Sequence, residues 1–170
     1  MVLIRSEIQS DHEQIREVVS AAFGRTNEAE LIDKIRCSSY FLPQLSLVAV
    51  EKEEVLGHIL FSLIEIDGVE KITALALAPL AVKPVYQRQG VGSKLVETGL
   101  LKCQDNGYLI VVVLGYPEFY QRFGFKPASQ WGIKAPFPAP DEAFMALELQ
   151  PSSAQNYTGT VCYPAYFNEV

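Results

Sequence analysis

The chain of 170 residues carries a formal net charge of −6, and 49% of its residues are hydrophobic. This is enough chain for one domain with a sizeable core, and the expectation is a single domain over residues 1–170. The acidic balance argues against a surface dedicated to nucleic acid or another polyanion. No apolar run reaches the roughly 18 residues that span a bilayer, and the N-terminus lacks a basic region followed by an apolar one, so the expected location is cytoplasmic with no membrane partner.

Residues 2–8 alternate as a short opening strand. Ser10-Asp11 then supplies an N-cap, with acidic Glu13 in the first turn. Ile15, Val18, Val19, Ala22 and Phe23 recur at helical spacing until Gly24. Asn27 is expected to cap a second helix over 28–37, and the loop between the two helices has no evident local partner for its polar groups. Residues 45–51 and 55–67 read as a hairpin around Glu51-Lys-Glu-Glu54, and Asp67-Gly68 as the turn into a third strand. In 72–82 both alternating faces are apolar, which predicts a central strand covered on both sides. Pro79 cannot donate a ladder hydrogen bond, so the strand should bulge or part from a neighbour there.

The helix from Gly90 turns Val91, Leu95, Val96, Leu100 and Cys103 inward, with Gly99 allowing close packing and Asn106-Gly107 ending it. A strand over 109–114 returns parallel to 72–82, as a crossover of this length requires. Pro117 starts a short helix, 131–140 reads as a rigid exposed connection, and strands follow over 143–149 and 158–163, separated by a polar loop. Cys37, Cys103 and Cys162 have no CxxC pairing and no ligand-like spacing to a histidine. They are read as small packing residues in a reducing compartment, with no metal site expected.

Chemistry concentrates at Gln87-Arg-Gln-Gly90-Val-Gly92-Ser93, where glycines follow a buried strand and open a helix. The first amides of a helix have no acceptor within it and carry a partial positive charge, so consecutive backbone N–H groups there can hold a phosphate. A dinucleotide fingerprint would need a third glycine where Leu95 stands, and a nucleotide P-loop would need Lys-Ser/Thr after a longer gap. Lys83, Arg88 and Lys94 add a local basic patch.

The segment Leu80-Ala-Val82-x4-Gln87-Arg-Gln-Gly90-Val-Gly92 resembles the coenzyme A motif of the GNAT N-acetyltransferase superfamily. Tyr116-Pro-Glu-Phe-Tyr120-Gln-Arg-Phe123-Gly124-Phe125 is similar to that family's second motif. The likeness extends over residues 1–149, and Leu114-Gly-Tyr-Pro and Pro140-Asp-Glu-Ala-Phe-Met145 look most like its YhbS-like bacterial branch. The resemblance implies an α/β fold with a mixed, mostly antiparallel central sheet, one parallel βαβ unit and helices on both faces. It also implies acetyl-CoA as co-substrate and transfer of its acetyl group to a primary amine by direct attack. Leu80, Ala81 and Val82 would pair with the pantetheine arm through backbone groups. Amides of Arg88, Gln89, Gly90, Val91, Gly92 and Ser93 would hold the pyrophosphate, with Gln87 shaping the loop.

In that family a tyrosine at the place of Tyr120 donates a proton or hydrogen bond to the departing thiolate; on its residues alone it reads equally well as a packed ring. With Tyr near 10 and a thiol near 8.5, full transfer is uphill by about 2 kcal/mol, so a hydrogen bond is the easier role. The strand 72–82 carries no acid to serve as base, which leaves Glu65, Asp67, Glu70, Glu142 and His58, with Glu65 taken forward. The acceptor, a small-molecule or peptide amine, is expected near 23–27, the end of strand 55–67 and the aromatic stretch 131–138. A catalytically weak coenzyme-binding sensor is the competing reading, and a homodimer is compatible with the C-terminal tail.

Overall fold

Three strands and two helices fill the first part of the chain: β1 (Leu3–Ser6), α1 (His12–Phe23), α2 (Asn27–Arg36), β2 (Ser46–Glu51) and β3 (Glu54–Gly68). They are followed by β4 (Lys71–Val82), α3 (Val91–Asp105), β5 (Ile110–Leu114) and α4 (Pro117–Tyr120). The last strands are β6 (Lys126–Pro127), β7 (Ile133–Lys134), β8 (Phe144–Glu148) and β9 (Gly159–Cys162). The computed structural model describes residues 1–150 and 157–169; the polar loop expected over 151–156 lies outside them. Two compact units emerge, one of Met1–Ser62, Ala78–Lys102 and Ala165–Val170, the other of Leu63–Leu77 and Cys103–Pro164. The sheet is mixed and mostly antiparallel, as expected, with β4 and β5 parallel on either side of α3 in the chain.

In the first unit β1 pairs antiparallel with β2 and β2 with β3. Lys52 and Glu53 turn that hairpin with φ of 49° and 66°, the double left-handed geometry that matches strand twist. Ile15, Val18 and Val19 of α1 and Leu31, Ile32 and Ile35 of α2 pack with Val48, Leu60 and Ala81. Tyr166 and Phe167 pack against the same core, and the Tyr166 hydroxyl donates to Ser38 Oγ at 3.0 Å.

Asp11 stands at the N-cap of α1, as expected, but without a side-chain bond to that helix; the cap of α2 is corrected. The Asp11 carboxylate accepts from Arg5 and from the Ile8 amide rather than from its own helix. Thr26, not Asn27, precedes α2, and its hydroxyl turns to Glu30. The loop between α1 and α2 has a partner after all, since Arg25 grips Glu28 through Nε at 2.9 Å and Nη2 at 2.5 Å.

Glu7 is the polar hub of this unit. Its carboxylate, with 4% of its side chain exposed, accepts from Arg36 Nε at 2.9 Å and Nη2 at 3.2 Å and from the Ser46 hydroxyl. His12 Nε2 lies at 2.8 Å and His58 Nε2 at 3.3 Å. Burial favours the neutral acid, but the hydrogen bonds of His58, Arg36 and Ser46 outweigh it and hold the carboxyl down at about 2. His58 is fully buried, and burial keeps its imidazole neutral against the pull of Glu7.

In the second unit β4 and β5 register at Leu75–Val111 and Ala76–Val112, and β8 pairs antiparallel with both β5 and β6. The end of β3 pairs with β9, which also runs parallel to β7, so the terminal strand completes the sheet of its own chain. β3 continues through Gly68, moving the turn to Val69 and Glu70. A side chain at Gly68 would meet the Thr158 carbonyl, so this glycine serves strand contact as well as the turn. The exposed connection expected over 131–140 is also corrected. Ile133 is buried in β7, Trp131, Ala135 and Ala139 pack on the core around Ile66, Ile110 and Val112, and Phe137 stacks on Tyr163.

α3 buries Val91, Leu95, Val96 and Cys103, while Leu100 is only half-buried. A Cβ at Gly99 would lie 2.4 Å from the Phe61 ring, so glycine is what lets that ring in. The helix ends with Gly107 at φ 83°, its amide donating to Gln104 O and that of Tyr108 to Cys103 O. These two bonds satisfy the last carbonyls as a Schellman motif does. Of the three cysteines only Cys103 is packed, whereas Cys37 and Cys162 are exposed. Among the described residues no helix is long and apolar enough to cross a membrane. None of their His, Cys, Asp and Glu side chains gather in a group of three or more that could hold a metal ion.

Candidate active site

β4 changes character along its length. Ala74 to Leu77 are buried on both faces, as expected, but Ala78, Leu80 and Val82 are only half-buried while Pro79 and Ala81 between them are buried. The register with β5 ends ahead of Pro79. One apolar face of this stretch is therefore partly open, and an extended chain with apolar and amide groups could lie along it.

After Val82 the chain makes a short turn over Pro84–Tyr86 and reaches the glycine loop. The Gln87 side chain reaches back to the Val82 carbonyl at 3.0 Å, clipping the two ends of the loop together. Arg88 and Gly90 take left-handed φ values of 62° and 87°. The Lys94 amide donates to the Gly90 carbonyl, so the amides of Val91, Gly92 and Ser93 precede the first internal bond of α3. The basic patch is smaller than the sequence suggests. Lys83 Nζ lies 2.6 Å from Glu54, which also accepts from the Tyr86 hydroxyl at 3.0 Å, and Lys94 Nζ donates to the Val2 carbonyl. Of the three cations, Arg88 alone has no partner among the described residues.

Two supports of this loop escaped sequence reading. In the sequence Glu54 is only part of a charged turn, yet it fixes both Lys83 and Tyr86. Gly57 lies beneath the first turn of α3: a Cβ there would sit 3.0 Å from both the Ala81 carbonyl oxygen and Leu95 Cδ1, and 3.3 Å from Val91 Cγ1. A lone glycine within an apolar strand was the available signal, since it marks close approach of another backbone or ligand.

Tyr120 ends α4 in the second unit, 8% exposed. Its ring meets Phe119 edge-on at 4.9 Å and Phe125 at 5.6 Å. Burial alone pushes its hydroxyl up to about 12, and no described residue hydrogen-bonds it. Such a phenol keeps its proton throughout the physiological range and presents it as a donor.

The base candidates separate by environment. Glu65 is exposed on β3, with Lys71 Nζ at 3.9 Å. Asp67, Glu70 and Glu142 are exposed as well. His58 is locked in the Glu7 hub, out of reach of any substrate. Cys103 is no nucleophile, because burial raises its thiol to about 12.

A strand, a left-handed loop and a helix N-terminus in this order form a candidate phosphate cradle, and comparison with known proteins gives its class. The model of the acetyltransferase (GNAT) domain matches residues 4–128. The chain belongs to the GNAT N-acetyltransferase family, whose enzymes use acetyl-CoA as co-substrate. Within it the chain is YhbS-like. It is 34% identical to the uncharacterized N-acetyltransferase YhbS of Escherichia coli K12, over 98% of this chain and 99% of that protein. It is 39% identical to the uncharacterized N-acetyltransferase YjhQ of the same organism, over 89% of this chain and 85% of that protein. The crystal structure of Escherichia coli YhbS in complex with CoA superposes with a TM-score of 0.91, at 34% identity over 98% of this chain and 92% of that one. A GNAT acetyltransferase from Brucella melitensis in complex with acetyl-CoA gives 0.79, at 35% identity over 98% of both chains.

Proposed function

We propose that this chain moves the acetyl group of acetyl-CoA to a primary amine by direct attack, with no covalent enzyme intermediate. The observation that carries this is the loop from Gln87 to Ser93: two left-handed residues and a side-chain clip lead into α3, whose amides at 91–93 precede its first internal bond. Backbone groups of Leu80, Ala81 and Val82 would align the pantetheine arm along the half-open face of β4. The amides of Arg88, Gln89, Gly90, Val91, Gly92 and Ser93 would hold the pyrophosphate.

When bound, acetyl-CoA supplies an activated acyl carbon and a thiolate leaving group. Tyr120 donates a hydrogen bond to the sulfur as it departs. With the hydroxyl at about 12 and a thiol near 8.5, giving the proton away entirely would be uphill by about 5 kcal/mol. Stabilisation by the hydrogen bond is therefore its role. Glu65, a carboxylate open to solvent, takes the proton released from the amine through water. The net charge of −6 suits a cationic acceptor.

The test is thiol release from acetyl-CoA over a panel of polyamines, peptides with a free N-terminus and small aromatic amines. Tyr120→Phe should lower kcat about 10- to 100-fold, in line with one hydrogen bond to a charged group, and leave coenzyme affinity unchanged. Tight acetyl-CoA binding with no release for any amine would favour a sensor instead.

A further inference from the structure

The residue that sets the position of Tyr120 carries no side chain. Gly115 stands just after β5, its amide donating to the Ala143 carbonyl at 3.0 Å. Its φ is not left-handed, so its backbone would accept any residue. The reason for glycine is the tyrosine: a Cβ at 115 would lie 2.5 Å from Tyr120 Cε2, 3.1 Å from Cδ2 and 3.6 Å from Cζ. The encroached atoms are on the side of the ring leading to the hydroxyl. Phe119 and Phe125 bound the ring elsewhere, and the ring is nearly buried. A methyl group at 115 therefore leaves the ring no room to stay. It must swing by about 1 Å to restore ordinary contact, and its hydroxyl moves with it.

We propose that Gly115 is a positioning residue for the acetyl transfer: its missing side chain fixes where the Tyr120 hydroxyl presents its proton. This rests on the reading of Tyr120 as donor to the thiolate. A displacement of about 1 Å in a catalytic group can cost on the order of 100-fold in rate. The effect falls on kcat alone, because Gly115 and Tyr120 lie outside the loop assigned to the pyrophosphate.

The experiment compares wild type, G115A, Y120F and G115A/Y120F in thiol release from acetyl-CoA, with spermidine as the probe amine and with water alone. The proteins are also labelled with 13Cζ-tyrosine, and the Tyr120 resonance is assigned by its loss in Y120F. In G115A we expect kcat about 10- to 100-fold lower, KM for acetyl-CoA within twofold of wild type, and a shifted Tyr120 resonance. Adding G115A to Y120F should cost nothing more, since the hydroxyl is already gone. G115A with wild-type kcat beside a slow Y120F overturns the proposal and leaves Tyr120 as the donor. Y120F with wild-type kcat overturns that reading and the proposal with it. An unmoved Tyr120 resonance in G115A overturns the proposal whatever the rates.

Should G115A fail to fold, the melting temperatures of Y120A and G115A/Y120A decide. Alanine lacks every encroached ring carbon, so equal values support the ring contact; a lower value for the double variant places the clash elsewhere and overturns the proposal.

Discussion

Replacing Glu7 by glutamine should make this protein less stable at neutral pH and also less sensitive to acid. The carboxyl falls from an ordinary 4.5 to about 2 in the fold. At about 1.4 kcal/mol per tenfold in proton affinity, that difference is worth about 3 kcal/mol of folding stability. The sign follows from the direction: a depressed acid contributes fully above its ordinary value and loses the contribution as pH falls from 4.5 towards 2. His58 acts in the same sense, because its buried ring resists protonation that the unfolded chain accepts below about 6.5. Glu7→Gln keeps the shape but leaves Arg36, only 11% exposed at its side chain, with the exposed Asp33, at 3.2 Å, as its one carboxylate partner among the described residues. We expect wild type and variant to differ by about 3 kcal/mol at pH 7, roughly 6–12 °C in melting temperature. The gap should narrow to about 1.4 kcal/mol at pH 3 and to under about 1 kcal/mol near pH 2. Urea unfolding followed by far-ultraviolet circular dichroism from pH 7 to 2 measures it. Two parallel stability curves across that range would refute the assignment of Glu7 as the ionised hub.

Gly57→Ala should weaken acetyl-CoA about fivefold by calorimetry with kcat at saturation unchanged, because the added methyl lifts the first turn of α3 by a few tenths of an ångström; unchanged affinity would mean the turn absorbs it. Gly92→Glu places a negative side chain at the first turn of α3 and should abolish acetyl-CoA binding while the circular dichroism spectrum stays as in wild type. Retained binding would remove the pyrophosphate assignment. Glu65→Gln should lower kcat about 100-fold at pH 7 with acetyl-CoA affinity unchanged; wild-type kcat would pass the role to another group.

The glycine loop was readable because everything about it is local: a buried strand, a clipped turn and a helix start lie in unbroken sequence. Side-chain supports that act over distance were not. Glu7 sits within an alternating strand pattern, and its partners Arg36, Ser46 and His58 stand 29, 39 and 51 residues away. Gly57 and Gly115 could be seen as interruptions, but what presses on each is decided by a helix turn and an aromatic ring that packing brings there. The stretch 131–140 misled because a two-residue strand has no periodicity to detect; only its pairing with β9 makes it one. Counting Lys83 and Lys94 as free charges failed for a related reason, since one meets Glu54 and the other a backbone carbonyl.

The two units are interleaved along the chain, which passes from one to the other after Ser62, Leu77, Lys102 and Pro164. The first three of these points fall inside β3, β4 and α3 rather than in loops. Neither unit can therefore be cut out as a continuous gene fragment, and recombination that swaps a segment would sever a strand or a helix.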